Sequence, residues 1–184
     1  MIMVKYMIIF LSLLVVILII CLIMIWYTIV YNKFQNYIIK INEAEANIDA
    51  TLRKRFDLLN KSISVIKANT DVKKDVLELI VKLRSRKLTN FELDRQLYDA
   101  INEFNEYKEK YEKLKDSEAF VKIEIGLNES EAEIDAARQY YNDTITEYNK
   151  LAKNIPSNLV ALLHKYTSKP YYDGKKNNDE VLKI

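Results

Sequence analysis

Histidine and cysteine, the residues that most often act as catalytic bases, nucleophiles and metal ligands, each occur once in this chain. Cys21 lies inside a long apolar run and cannot act as a nucleophile in water. His164 cannot form a cluster of histidine ligands, and Ala161 stands where the Glu-x-x-His motif of carboxylate di-metal bundles needs a glutamate. The sequence therefore predicts no metal site and no catalysis by cysteine or histidine.

Carboxylate pairs and phosphate-binding loops are the remaining chemical motifs. Glu129 and Glu133, like Glu131 and Asp135, are one helical turn apart, but such pairs are common on helix surfaces. The chain has only two glycines and so no glycine-rich phosphate loop. We therefore expect no enzyme activity, no catalytic residues and no cofactor. A hydrolase built on carboxylates alone stays open but has no positive support.

The chain begins with a pattern typical of a membrane-spanning helix. The stretch Tyr6–Tyr31 contains no charged residue, and its length of about 26 residues exceeds the roughly 20 apolar residues that a helix needs to cross a bilayer. Trp26 and Tyr27 lie near its end, as in the aromatic belts of membrane helices. The run is too long for a signal peptide, and no cleavage motif of small residues follows it. We predict an uncleaved single-pass anchor over residues 1–32.

Basic residues beside the anchor give a small orientation bias. Lys5 precedes the apolar run, whereas Lys33, Lys40 and the group Arg53-Lys54-Arg55 follow it. Because lysine and arginine near a span favour the cytoplasmic side, the count favours a cytoplasmic C-terminal domain.

The composition of the part after the anchor predicts its fold class. About 150 residues remain, enough for one compact domain. They hold 27 basic and 26 acidic residues, which is not the basic excess of a nucleic-acid-binding surface. Two glycines and two prolines in the whole chain are too few for the turns of a sheet-rich domain. The sequence predicts an all-α domain without a nucleic-acid partner.

The first predicted helix continues out of the membrane from Lys33 to about Ala68, and its apolar residues alternate at spacings of four and three. Asn69-Thr70-Asp71 then predicts a turn, and a second, shorter helix runs to about Lys87. The packed stripe of the first helix is predicted as Phe34, Ile38, Ile41, Glu45, Ile48, Leu52, Arg55, Leu59, Ser62 and Ile66.

Two further helices follow. Thr89-Asn90-Phe91-Glu92 is a capping box that opens the third predicted helix, which ends in the charged stretch Lys108–Asp116. The fourth runs from about Ser117 to Asn154, because Pro156 disfavours helix in the residue before it. Its packed stripe is predicted as Phe120, Ile123, Leu127, Ser130, Ile134, Ala137, Tyr141, Thr144, Tyr148, Leu151 and Ile155.

Four amphipathic helices with short links predict an antiparallel up-and-down four-helix bundle, with two long and two shorter helices, over residues 33–173. A polar flexible tail is predicted over residues 174–184. The fourth helix of such a bundle returns to the membrane, so the segment after Pro156 rests on the headgroups, packs against the base of the first helix, or caps the bundle core. The residues predicted to contact the membrane are Leu159, Leu162, Leu163, Lys165, Lys169 and Tyr171.

Several groups of residues resemble the LemA family of bacterial membrane proteins. In the first soluble helix, residues 48–59 read I-D-x-x-L-R-K-R-x-D-L-L, similar to the family pattern I-D-V-x-L-K-R-R-x-D-L-I. The resemblance covers about residues 30–173 and implies one N-terminal transmembrane segment and a four-helix bundle. It implies no catalytic residues, since the family's molecular function is poorly defined. The other matching groups are Ala137-Arg138-Gln139-Tyr140-Tyr141-Asn142-Asp143, Glu147-Tyr148-Asn149, Pro156-Ser157-Asn158-Leu159 and Lys169-Pro170-Tyr171-Tyr172.

Polar residues on the packed stripes predict a structural network. Arg55 falls on the stripe of the first helix, and Arg138 lies beside that of the fourth. A charge that faces a core is costly unless it is paired, so we expect both arginines to pair with carboxylates across the bundle and fix helix register. A ligand or partner site on the same charges is the alternative. The predicted network residues are Asp49, Arg55, Glu131, Asp135, Arg138 and Asn142.

These features predict a non-enzymatic scaffold or adaptor in the bacterial cell membrane, with the bundle in the cytoplasm. Its partners would be the lipid bilayer and an unidentified membrane or envelope protein. The alternative is a regulatory subunit that binds a membrane enzyme or protease. A scaffold should self-associate or remodel the membrane, whereas a regulator should co-purify substoichiometrically with one enzyme. The anchor has no small-xxx-small motif, so an oligomer is possible but not indicated.

Overall fold

The computed structural model describes residues 2–71, 80, 82 and 89–172, and its regular elements are all helical. This confirms the predicted all-α fold with a long apolar N-terminal helix. The third and fourth predicted helices correspond to α2 and α3 below. The second lies outside the described residues apart from residues 80 and 82, which are helical, and the predicted tail also lies outside them. The elements are α1 (Ile2–Asn69), α2 (Asn90–Lys110), a 3-10 turn (Glu112–Leu114), α3 (Glu118–Lys153) and α4 (Asn158–His164).

The chain divides into two compact units, and α1 and α3 contribute to both. Unit 1 consists of Met1–Lys40 and Ile145–Lys169, and unit 2 of Ile41–Thr144 and Pro170–Ile184. In unit 2 the ion pair of Lys54 with Glu133 and the approach of Leu58 to Gly126 show that α1 and α3 run antiparallel.

The surface of α1 changes along its length. Its first part is an apolar cylinder with exposed side chains, and from Val30 onwards one face is buried. Among the described residues, α1 is the one helix long and apolar enough to cross a membrane. The same helix thus carries the apolar segment and the first core residues of unit 1, Val30 and Phe34. The predicted boundary between anchor and bundle, at residues 32 and 33, lies inside it.

The stripes predicted from helical periodicity form most of the buried surface. Arg55, Ser62 and Ser130 are buried together with the apolar members. The prediction was wrong at two positions. Glu45 is exposed and its neighbour Ala44 is buried instead, because removing a carboxylate from water costs free energy. Ile155 is 85% exposed and lies beyond the end of α3.

Local signals set the ends of the helices. The Thr89 hydroxyl accepts the backbone N–H of Glu92, and the Glu92 carboxylate accepts the backbone N–H of Thr89 at 3.0 Å, which completes the capping box at the start of α2. The α3 helix ends at Lys153, before Pro156. Gly126 lies in the middle of α3, where a Cβ atom would be 3.1 Å from Leu58 Cδ1. Its small size permits close approach of the two long helices in unit 2.

Candidate functional site

Asp94 lies at the centre of a buried charge cluster in unit 2. Its carboxylate accepts a hydrogen bond from Arg138 Nη2 at 2.7 Å and one from Arg55 Nη1 at 3.3 Å. The side chains of Asp94 and Arg55 are each 1% exposed. Arg55 also donates to Ser130 Oγ at 3.0 Å and forms an ion pair with Glu131. One carboxylate on α2 therefore connects an arginine of α1 with an arginine of α3.

Four of the six residues predicted to form the network lie in this cluster, namely Arg55, Glu131, Asp135 and Arg138. The pair of Asp135 with Arg138 runs along α3, one turn apart, and not across the bundle.

The two other predicted residues lie elsewhere. Asp49 accepts from Arg53 at the surface of α1, and Asn142 binds the backbone of Tyr172. Asp94 was not among the predicted network residues, although it lies three residues from both Phe91 and Leu97 on the apolar stripe of α2.

Burial determines the electrostatics of this cluster. Loss of solvation raises the pKa of the Asp94 carboxyl above its ordinary value, while the charges of Arg138 and Arg55 act in the opposite direction. The cluster balances two guanidinium groups with one fully buried carboxylate and two that are partly exposed. Its ion pairs thus link side chains of α1, α2 and α3 directly.

The segment around Tyr172 is fixed to unit 2 by an asparagine clamp. The Asn142 side chain donates to the Tyr172 carbonyl at 2.8 Å and accepts the Tyr172 backbone N–H at 2.7 Å. The Tyr172 ring stacks on Phe91, and its hydroxyl donates towards Asp94 at 3.3 Å. The Asn142 side chain thus hydrogen-bonds both backbone polar groups of Tyr172, and the Tyr172 ring lies next to the charge cluster.

Unit 1 contains a second clamp of the same kind. The Asn149 side chain donates to the Lys169 carbonyl at 2.9 Å and accepts its backbone N–H at 2.8 Å. Asn142 and Asn149 are seven residues apart on α3, which places them on one face of the helix. The seven-residue spacing of the two asparagines is visible in the sequence, but the clamps were not predicted from it.

An aromatic cluster in unit 1 joins α4 to the end of the apolar segment. The Tyr27 hydroxyl is 2.7 Å from His164 Nε2, and the ring centroids of Tyr31 and His164 are 5.0 Å apart. Tyr166 packs on His164 and on Phe34, and Gln35 donates to its hydroxyl at 2.7 Å. The only histidine is thus held by tyrosines at the base of the predicted anchor.

The outer face of α4 is apolar and exposed. Leu159, Leu162 and Leu163 are 60%, 79% and 69% exposed, whereas Val160 and Ala161 are buried. The helix therefore turns Val160 and Ala161 inwards, contacts Tyr27 and Tyr31 of α1 through His164, and leaves its three leucines exposed. Lys165 and Lys169 follow it in unit 1, and Tyr171 belongs to unit 2, where it is 37% exposed.

Charge is divided unequally between the two units. Unit 1 contains seven lysines and one acidic residue, Glu147, while the other 21 basic and 25 acidic residues belong to unit 2. The near-neutral total of the chain therefore hides a strongly basic unit beside the apolar segment. Its lysines are Lys5, Lys33, Lys40, Lys150, Lys153, Lys165 and Lys169.

The fold and these clusters define an all-α protein with an N-terminal helix able to cross a membrane and a helical bundle closed by buried ion pairs. The family model described as the LemA family matches residues 44–184. Because this match covers more than half of the chain, the protein belongs to the LemA family. Comparison with curated proteins gives no match. Within the part of the chain that the structure describes, no group of three histidine, cysteine or acidic side chains could hold a metal ion.

Alkaline pH should destabilise unit 2 through its buried tyrosines. Burial raises the pKa of Tyr141 to about 12, and burial with the nearby Asp94 charge raises that of Tyr172. The unfolded chain loses these protons from pH about 10, whereas the folded chain keeps them, so stability is full below that pH and falls as pH rises towards 12. For Tyr141 alone the loss approaches about 2–3 kcal/mol.

The test compares thermal unfolding of the full chain in detergent at pH 8 and pH 11, followed by circular dichroism. Tyr141→Phe should reduce the alkaline loss of stability, because the variant has no phenol to ionise. Tyr98→Phe, which changes an exposed tyrosine of α2, is the control. An equal alkaline loss in the wild type and Tyr141→Phe would contradict the prediction.

Proposed function

We propose that this LemA-family protein is a single-pass protein of the bacterial cell membrane that acts as a non-enzymatic scaffold or adaptor, with its bundle in the cytoplasm. The observation that carries this proposal is α1, in which the apolar segment continues without a break into the first core residues of unit 1. An exposed apolar helix of this length is stable in lipid and would be costly in water. The helix therefore serves to mount packed helices at a membrane surface.

The polar chemistry of the bundle supports a structural role. Asp94, the most deeply buried carboxylate among the described residues, is bonded to two arginines. A group held in this way is not available to bind or activate a substrate without breaking the contact between helices. The exposed surfaces of the bundle remain as the part that can bind a partner.

The basic character of unit 1 supports the cytoplasmic orientation. Six of its lysines follow the apolar segment in the sequence, and only Lys5 precedes it. Cytoplasmic leaflets carry anionic lipids, which attract lysine by about 1 kcal/mol per residue near the surface. The test replaces Cys21 with serine, introduces Lys122→Cys on the exposed surface of α3, and treats intact cells with a membrane-impermeant maleimide. Labelling only after lysis is expected. Labelling of intact cells would place the bundle outside.

An adaptor must meet a partner through the bundle surface. Ile125 and Tyr140 are both exposed on α3 in unit 2. A photo-crosslinking amino acid at either position should join a large fraction of the protein molecules to a partner protein of defined mass. The same amino acid at Ile20, in the apolar segment, is the control. A scaffold would give adducts with itself, and the regulatory alternative would give a small fraction joined to one enzyme. Absence of protein adducts from both unit 2 positions would contradict the adaptor role.

The exposed leucines of α4 are expected to enter the bilayer. His164 contacts Tyr27, so α4 lies at the level where the apolar segment ends and the headgroups begin. Burial of each leucine contributes about 1.5–3 kcal/mol, which favours insertion over exposure. In the Cys21→Ser background, a polarity-sensitive fluorophore on Leu162→Cys should show blue-shifted emission in liposomes and be quenched by brominated lipid.

The matched control for this measurement is Ile125→Cys, an exposed apolar position of unit 2. Its fluorophore should report water and resist quenching. If the two positions give the same spectrum, α4 does not touch lipid.

A further inference from the structure

A polar groove lies in unit 1 immediately beyond the apolar segment. It has a volume of about 370 Å³ and lies between α1 and the end of α3. Polar and apolar surface contribute about equally to its wall, and lysine, asparagine and tyrosine side chains supply most of the polar groups. The donors are Lys33, Asn36, Tyr37, Lys40, Lys150 and Asn154.

The charges in this groove are not balanced. Glu147 is its one carboxylate, and it is paired with Lys150 at 2.7 Å. Lys40 is 5.9 Å from the centroid of the Tyr37 ring, and within the described ranges neither Lys33 nor Lys40 has a carboxylate partner. Two lysine charges in one groove, supported by amide and hydroxyl donors, favour an anion with several acceptor oxygens.

The depth of the groove matches the phosphate layer of a bilayer. At about 1.5 Å per residue, Lys33 lies roughly 3 Å and Lys40 roughly 14 Å beyond Tyr31 along α1. The headgroup layer on each side of the hydrocarbon core is about 5–7 Å thick. Lys33 therefore lies within this layer and Asn36 at its outer edge, while Lys40 lies about 7 Å above it, a distance that its four-carbon side chain can largely span.

We propose that this groove binds the phosphate headgroup of an anionic membrane lipid. Lys33 and Lys40 contact the phosphate oxygens, and the amides of Asn36 and Asn154 complete the set of donors. The lysine-rich character of unit 1 favours an anionic over a zwitterionic lipid, since like charges around the groove repel a headgroup amine. The inference rests on the proposed membrane anchoring and adds to it the class of lipid that the protein recognises.

The test uses the full chain, purified in detergent and titrated with phosphatidylglycerol or phosphatidylcholine, with bound lipid counted by native mass spectrometry. The wild type should bind one phosphatidylglycerol at least tenfold more tightly than phosphatidylcholine. The triple variant Lys33→Gln, Lys40→Gln, Lys150→Gln should lose at least tenfold in phosphatidylglycerol affinity. Equal affinity of the wild type for the two lipids would overturn the proposal.

A control variant that loses three positive charges elsewhere distinguishes lipid binding in the groove from general electrostatic attraction. The triple variant Lys61→Gln, Lys67→Gln, Lys122→Gln changes exposed lysines of unit 2 and should bind lipid like the wild type. If both triple variants lose affinity equally, net charge and not the groove determines binding. Circular dichroism of each variant shows whether its helices are retained.

A soluble phosphate compound presents the same phosphate oxygens as a lipid headgroup. The lipid should remain bound when inorganic phosphate or glycerol 3-phosphate is added at millimolar concentration, because the acyl chains hold it in place. Displacement under these conditions would overturn the assignment to lipid and identify a soluble phosphate as the ligand. Resistance of the chain to extraction from membranes by alkaline carbonate reports anchoring separately, so that failure of the groove and failure of the anchor can be distinguished.

Discussion

Replacement of Asp94 by alanine is expected to destabilise the bundle of unit 2 by about 3–5 kcal/mol, the usual cost of removing one partner from a buried ion pair. Asp94 is the carboxylate that Arg55 and Arg138 share, and Arg55 is 1% exposed. Without it, two guanidinium groups remain near one another in the core with only the partly exposed carboxylates of Glu131 and Asp135 nearby. Arg55 cannot reach water without opening a helix contact, whereas 10% of the Arg138 side chain is already exposed.

Thermal unfolding of the full chain in detergent, followed by circular dichroism, measures this loss. For a chain of this size the expected fall in Tm is about 6–20 °C, at roughly 2–4 °C per kcal/mol. Asp49→Ala is the matched control, because it removes an aspartate whose partner, Arg53, has a side chain that is 76% exposed. Such surface pairs contribute at most about 1 kcal/mol. Similar shifts for the two variants would show that the buried cluster does not hold the helices together.

A second substitution tests whether buried charge explains the destabilisation by Asp94→Ala. Arg55→Met removes one of the stranded cations while keeping much of the volume of the side chain. Added to Asp94→Ala, it should recover part of the lost stability, since the most deeply buried guanidinium, which has lost its buried carboxylate, is then absent. Further loss in the double variant would mean that packing, and not charge, explains the effect of Asp94→Ala.

Asn142→Ala is expected to release the Tyr172 segment from unit 2. The substitution removes two hydrogen bonds to the Tyr172 backbone, each contributing about 0.5–1.5 kcal/mol, so that the segment loses about 1–3 kcal/mol of attachment. The ring stack on Phe91 and the hydrogen bonds of the Tyr172 hydroxyl to Asp94 and to the Asn90 carbonyl then oppose detachment. Local opening becomes frequent while the helices remain folded.

Cleavage by chymotrypsin after Tyr172 measures this opening, because the protease needs the segment detached from unit 2. A loss of 1–3 kcal/mol corresponds to cleavage about 5–150 times faster when cleavage follows rapid local opening. Asn128→Ala, an exposed asparagine on the same helix, should leave the cleavage rate unchanged. An unchanged rate in Asn142→Ala would show that the remaining contacts of the Tyr172 side chain hold the segment.

The helical pattern predicted the fold because periodicity determines which face of a helix is buried. The capping box at Thr89, the end of α3 before Pro156 and the burial of Arg55 follow from local rules. Periodicity does not determine how two helices are rotated against each other. For this reason the carboxylates available to Arg55 and Arg138 were predicted as a set, and the central one, Asp94, was not among them.

Helical periodicity could not predict the asparagine clamps, for a different reason. Tyr172 follows the last described helix and has no repeat that would assign it to a face. Its place depends on Asn142, 30 residues earlier, and on Phe91. The separation of charge between the units could be counted only when the structure had shown that Lys150 and Lys153 share a unit with Lys33.

The position of Tyr172 in the chain also orders events during synthesis. Tyr31, at the end of the apolar segment, is made 141 residues before Tyr172. At about 5–20 residues per second, roughly 7–28 s pass between the two. During that interval the apolar segment already requires lipid or a protecting factor, whereas the cluster around Asp94 still lacks the ring that covers it. Under the proposed membrane anchoring, insertion of the apolar segment therefore precedes completion of the core around Asp94.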